Sequence, residues 1–186
     1  MSSIVDKYKH VWGAKPRILL SEYTYQPELT RKLDMLQPSD LNSEIFYEII
    51  LWKLNRFPKL ESDLIGSLKE IAGLKPKEHR KAMSQLRALL RCPGIALPMA
   101  STVLRFLNPD VFQIIDDRVY RIVLSGKAKY PTKPTRVTEN YLATSAMIYF
   151  DYLDALHEQC CAELPFSEAD RILYQLDKKL GNKIGD

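Results

Sequence analysis

The chain has 186 residues, a formal net charge of +4, 46% hydrophobic residues and 27% charged residues. That balance suits a soluble globular protein made of one compact domain or two small lobes, with enough length for a real core. It excludes low-complexity and repeat architectures, and no apolar run approaches the roughly 20 residues that span a bilayer.

Residues 1–26 read as a short helix or turn and then an irregular arm around Pro16. Pro27-Glu28 opens a helix that runs to about residue 36, because proline is tolerated in a first turn and an acid suits the positive helix end. Pro38-Ser39-Asp40 resets the chain, and Ser39, Asp40 or Ser43 is expected to cap a helix over residues 43–57. Ile45, Phe46, Ile49, Ile50, Trp52 and Leu54 occupy most of its circumference, which predicts a buried helix. A short buried strand is the rival reading, and the length favours helix.

Residues 60–71 read as an amphipathic helix ending near Gly73. In residues 78–90, Met83, Leu86, Leu89 and Leu90 lie opposite Arg80, Lys81 and Arg87. Residues 97–107 follow Pro93-Gly94 as another helix, stopped by Asn108-Pro109-Asp110. Residues 117–124 form a short helix with Asp116 at or beside its N-cap, and residues 126–138 form a basic, proline-containing loop. A long helix is expected over 139–163 and a last one to about residue 180, capped by Phe166-Ser167. Strand signals are nearly absent, so the expected fold is all-α, a compact two-lobed helical array with short connections.

The three cysteines, Cys92, Cys160 and Cys161, are odd in number with two adjacent, which argues against a disulfide framework. They do not supply the four thiolates of an iron–sulfur cluster or an all-cysteine zinc site, and His10, His79 and His157 are too scattered for the usual zinc spacings. The basic balance permits polyanion binding without demanding it. The N-terminal stretch lacks an apolar signal core, so a cytoplasmic protein is expected.

Pro93-Gly94-Ile95-Ala96 separates two amphipathic helices. Proline ends a helix, and glycine allows a positive φ without a Cβ in the way. A tight turn running into a helix N-terminus presents unpaired N–H groups, which with the helix dipole can hold a phosphate oxygen, while Ile95 anchors the turn in the core. On those four residues alone an ordinary helix–helix turn is the favoured reading.

The wider segment resembles the helix-hairpin-helix DNA glycosylase superfamily, which includes endonuclease III and the adenine and 8-oxoguanine glycosylases. Its signature, Leu-Pro-Gly-Val-Gly, then Thr-Ala, a helix, and an acid in a phrase such as Phe-Pro-Ile-Leu-Asp, is paralleled by Cys92 to Ala96, Met99-Ala100, and Phe112 to Asp116. The spacing from Gly94 to Asp116 matches, and Val119 and Arg121 continue the pattern. The chain also looks like a short bacterial branch of 8-oxoguanine- and adenine-glycosylase-like proteins without an iron–sulfur cluster, through Trp52-Lys53-Leu54-Asn55-Arg56 and Asp170-Arg171 to Asp177-Lys178. The resemblance covers about 35 residues directly, within residues 78–124 of a single glycosylase-like domain.

This resemblance implies a protein that binds double-stranded DNA, flips a damaged or modified base and hydrolyses its N-glycosidic bond. Nucleoid association and a monomeric state go with that expectation. No cofactor is required, although a monovalent cation can bridge hairpin carbonyls to phosphate. The alternative is a non-catalytic DNA-binding or scaffold protein that kept the fold. Asp116 is the expected acid, since a carboxylate near the sugar stabilises its developing positive charge and orients water; a plain N-cap is its bland role. Asp117 is a second candidate acid, although an adjacent acid at a helix start generally points elsewhere and often pairs with a base.

The lysine nucleophile of bifunctional members falls at Pro98, which predicts a monofunctional enzyme. Glu48 can be laid on the glutamate that protonates the leaving base in adenine glycosylases, with pairing to an arginine or partial exposure as the alternative. DNA contacts are assigned to Pro93, Gly94, Ile95, Ala96, Leu97, Met99, Lys53 and Arg56, and a base pocket or wedge to Trp52 and Tyr47. Asn55, Tyr23 and Tyr25 are secondary candidates, and Lys127, Lys129, Lys133 and Arg136 could add phosphate contacts.

Overall fold

A computed structural model describes residues 5, 9–13, 15–54, 58, 60, 63–124 and 129–183. All regular structure among them is helical. No helix is long and apolar enough to cross a membrane among the described residues. The chain divides into two compact units, Met1–Phe57 and Pro58–Asp186.

The first unit holds α1 (Lys9–Trp12), a 3-10 turn at Pro16–Glu22, α2 (Pro27–Asp34), a 3-10 turn at Pro38–Asp40 and α3 (Ser43–Lys53). The cap of α3 is Asn42, whose side chain accepts from Ile45 N at 3.0 Å, not the expected serine or aspartate. The predicted burial of α3 is corrected as well: none of its residues is buried, and Phe46, Tyr47, Ile49 and Ile50 are exposed. A helix that is apolar all round needs cover all round. Within this unit α3 packs on α2, which covers one side, and Leu29 of α2 is the one buried hydrophobic among the unit's described residues. Trp52 is the anchor of that side. Its Nε1 donates to Thr30 Oγ1 at 2.8 Å, its carbonyl accepts from the Tyr25 hydroxyl at 2.7 Å, and the Tyr25 ring meets it edge-on.

The second unit contains α4 (Leu64–Lys69), continued by a 3-10 turn at Glu70–Gly73, and α5 (Met83–Arg91), entered through a 3-10 turn at His79–Ala82. Then come α6 (Leu97–Leu107), α7 (Asp117–Val123), α8 (Glu139–Gln159), and α9 (Ala169–Lys179) behind a 3-10 turn at Phe166–Glu168. One continuous core joins these helices. The apolar stripe of α5 (Leu86, Leu89, Leu90) packs between α6 and α8, and α7 packs against both α8 and α9. Met83, expected on that stripe, is 39% exposed because it lies in the first turn of α5.

Two helix ends differ from expectation. The helix α8 stops at Gln159, because a turn closed by reciprocal bonds between the backbones of Cys161 and Leu164 takes over. No side chain caps α9; the Ser167 carbonyl instead accepts from Arg105 at 3.2 Å.

Two histidines meet where the 3-10 turn at His79–Ala82 packs on α8. His79 is 1% exposed, and His157 stacks face to face on Phe166 with centroids 3.7 Å apart. His79 Nε2 lies 3.1 Å from Asp154 Oδ1, close enough for Coulomb attraction but without hydrogen-bond geometry. Burial therefore wins: it pulls His79 below the usual histidine value against Asp154, with Arg80 adding to the lowering. Burial, then His79 and Lys77, lower His157, again against Asp154. Both are thus neutral in the fold at pH values where an unfolded histidine, near 6.5, takes a proton. Below that value the unfolded chain binds more protons than the native one, and stability falls with pH. We expect Tm to drop as pH goes from about 7.5 to 5.5, and the slope to flatten in a His79→Leu, His157→Phe double variant. A wild-type Tm that holds or rises on acidification rules this out.

Candidate functional site

The stretch Asn108 to Asp116 has no helix of its own beyond a turn, yet it crosses the core, with Val111, Phe112, Gln113 and Ile115 fully buried. A buried irregular backbone must find partners for its polar groups. Side chains supply them. Asn108 Nδ2 ties the entry to the carbonyls of Ile71 and Leu74, at 3.0 and 3.1 Å. The hydroxyls of Tyr149 and Tyr152 on α8 donate to the carbonyls of Gln113 and Ile114, at 2.9 and 2.8 Å. Ser101 Oγ on α6 accepts from Ile115 N, and Asp170 Oδ2 on α9 accepts from Ile114 N. Three helices thus strap the segment that delivers Asp116 to the start of α7.

Asp116 has extended backbone angles and is the N-cap of α7: its Oδ1 accepts from Arg118 N at 2.9 Å and Val119 N at 2.8 Å. Its other oxygen, Oδ2, has no hydrogen-bond partner among the described residues. Burial pushes the carboxyl above the usual aspartate value, aided by the neighbouring Asp117, and outweighs the two backbone donors and Arg118. Asp116 lines a cleft of about 390 Å³ with Ile114, Val119, Asp170, Arg171, Tyr174 and Gln175. That volume lies within the range of small-ligand sites.

Asp117 turns away from this arrangement, as expected, and is held by Lys129 Nζ at 2.7 Å and the Tyr130 hydroxyl at 2.8 Å. Behind the cleft, the side chain of Asp177 has no exposed surface. It receives Arg118 at 2.7 Å, Arg121 at 2.7 and 3.0 Å, and Asn182 at 2.8 Å. Burial alone would raise its pKa, but the bonds from Arg121, Asn182 and Arg118 hold the carboxyl below the usual range. The Arg118 guanidinium also lies over the Tyr174 ring, which steadies one wall of the cleft.

Between α5 and α6, Gly94 adopts φ +85°, the left-handed conformation that favours glycine, and Ile95 is 3% exposed, anchoring the turn. The first intrahelical donor of α6 is Ala100 N, bonded to Ala96 O at 2.9 Å. The N–H groups of Leu97 and Met99 precede it and have no acceptor within the helix; Pro98 has no N–H to offer. On the inner side of the turn, Lys133 Nζ donates to Leu90 O, Cys92 O and Ile95 O. No cluster of His, Cys, Asp or Glu suited to a metal ion occurs among the described residues.

Pro93, Gly94, Ile95, Ala96, Leu97, Met99 and Asp116 all belong to the second unit, and Glu48, Lys53, Tyr47 and Trp52 to the first. Both carboxylate oxygens of Glu48 are taken by Lys32 Nζ, at 2.7 and 2.6 Å; pairing, with Lys32 and not an arginine, is what is observed. Lys53 and Tyr47 are exposed. Arg56, Asn55 and Lys127 lie outside the described residues. Of the basic loop, Lys129 and Lys133 are engaged within the fold and Arg136 is exposed. On α9 the sequence marked Asp170 and Arg171 but missed Tyr174 and Gln175 as lining of the cleft, because their spacing is that of an ordinary amphipathic helix. The chain matches no protein-family model, no characterised protein and no solved structure.

Proposed function

We propose that the protein is a helix-hairpin-helix DNA glycosylase-like enzyme that binds duplex DNA, extrudes one damaged or modified base and hydrolyses its glycosidic bond. One observation carries the reading. Asp116, downstream of the Gly94 turn, caps α7 with one oxygen and lines a cleft, its other oxygen having no hydrogen-bond partner among the described residues. A carboxylate fixed in this way can face the sugar as positive charge develops and can orient the attacking water, without reorganising during the reaction. The turn's left-handed glycine and the leading N–H groups of α6 supply a phosphate contact. Extruding the nucleotide costs a few kcal/mol, least at a mismatched or damaged pair.

The test is abasic-site formation on a panel of damaged and modified duplexes, with Asp116→Asn as control. Salt-dependent binding without base release on any duplex favours the non-catalytic alternative. Pro98 at the nucleophile position supports a hydrolytic route. Borohydride treatment during turnover is therefore expected to trap no covalent protein–DNA adduct, and a trapped adduct overturns the monofunctional assignment.

A further inference from the structure

Three carbonyl oxygens around the Pro93-Gly94 turn converge on one point. Leu90 O, Cys92 O and Ile95 O lie 2.6, 2.6 and 2.8 Å from Lys133 Nζ. Leu90 belongs to the last turn of α5, where carbonyls lack intrahelical partners and the dipole is negative; Cys92 and Ile95 bracket the turn itself. A ring of carbonyls in such a place is what holds a cation. The sequence resemblance implies an exchangeable monovalent ion at hairpin carbonyls, bridging them to a phosphate. These residues do not fit that ion. An ammonium has three N–H donors, three carbonyls receive them, and a metal ion on the same oxygens would need the position of Nζ.

We infer that Lys133 is the resident cation of the turn, a tethered ammonium that closes the carbonyl site and makes an exchangeable metal ion unnecessary. All three contacts require the protonated form, since a neutral amine has only two N–H groups. Lys133 lies between Pro131 and Pro134, whose fixed φ values extend the loop and limit the entropy lost in seating the side chain. The same side chain fastens this loop to a turn 38 to 43 positions earlier in the chain. Because its three donors are used, Lys133 cannot bond a phosphate as a bridging metal ion would. An anion at the turn meets the free N–H groups of α6 and the field of the lysine beneath them. The inference stands on this geometry and does not depend on the glycosylase reading.

The experiment is thermal melting of the full chain, without DNA, in potassium, sodium and choline chloride at equal ionic strength. Wild type is expected to melt at the same temperature in all three. Lys133→Ala is expected to melt about 8 °C lower in choline, because three partly buried charge-assisted bonds are lost, and to regain about half of that in potassium, which can enter the vacated carbonyl ring. A wild-type gain in potassium over choline overturns the inference. So does a Lys133→Ala variant that melts with wild type in choline, or one that shows no potassium gain. If Lys133→Ala does not fold, reductive methylation of wild type decides. Lys133 should react more than about tenfold slower than the exposed Lys129 of the same loop, and equal rates overturn the inference.

Discussion

Asp116→Asn is expected to lower base release by about 10²–10³-fold, on whichever duplex wild type cleaves, while leaving Tm unchanged or slightly raised. The two effects have separate causes. An asparagine Oδ1 can still accept from the N–H groups of Arg118 and Val119, so the cap on α7 survives. What disappears is the negative charge, whose burial is the leading reason that the Asp116 carboxyl is raised. Removing a charge that the fold disfavours raises stability, and on the proposed reading it also removes the group that would stabilise a cationic sugar. Asp116→Ala loses cap and charge together, costing about 1 kcal/mol of cap, or about 2–4 °C in Tm. The pH dependence follows the same logic. On the proposed reading the ionised form is the active one; its pKa lies above the ordinary aspartate value, so base release should rise with pH through that raised value. An Asp116→Asn variant that releases base at the wild-type rate leaves Asp116 as a cap alone.

Much of this arrangement was legible in the sequence because it depends on short-range backbone chemistry. Pro93-Gly94 and Asn108-Pro109 bound α6 at the predicted residues, and a positive φ at Gly94 and an N-cap at Asp116 follow from residue type and position. Features set by distant partners were not legible. The apolar circumference of α3 suggested burial, yet burial depends on how many neighbours pack around a helix, and among the described residues of its own unit α2 is the one helix packed on it, with Tyr25 at Trp52. Glu48 was read as a leaving-base acid, as paired to an arginine or as partly exposed, and Lys32 becomes its partner only because α2 lies beside α3. Lys133 looked like one of four cations in a basic loop. Its distinction is that two prolines carry it to a turn remote in sequence, a meeting no local period encodes. Asp170 and Asp177 carried a signal in their spacing, but that spacing alone did not show that both are buried beneath arginines of other helices.

Asp177→Ala is expected to be the most destabilising of the substitutions considered, at about 3 kcal/mol, or roughly 6–12 °C in Tm. Its carboxylate is fully covered and joins α9 to two arginines of α7 and to Asn182. Truncation leaves those arginines without their counter-charge. Arg118, with 12% of its side chain exposed, cannot recover the loss from water and keeps one bond, to Asn182 O. Arg121, at 29%, can recover part of it, and it still reaches Lys183 O. The cover over Asp177 is thus one layer thick, which puts the cost at the lower end of the 3–5 kcal/mol typical of an orphaned buried charge. Since its carboxyl is held below the usual range, Asp177 contributes stability that is present above the unfolded aspartate value, near 3.9, and is lost as pH falls through the lower folded value. The contrast is Glu139, which also receives two arginines, Arg87 and Arg91, but whose side chain is 72% exposed. Water replaces those bonds, so Glu139→Gln should leave Tm essentially where it is. Equal effects from the two substitutions would mean that burial, and not the number of arginine contacts, had been wrongly credited with the stability of the α7–α9 junction.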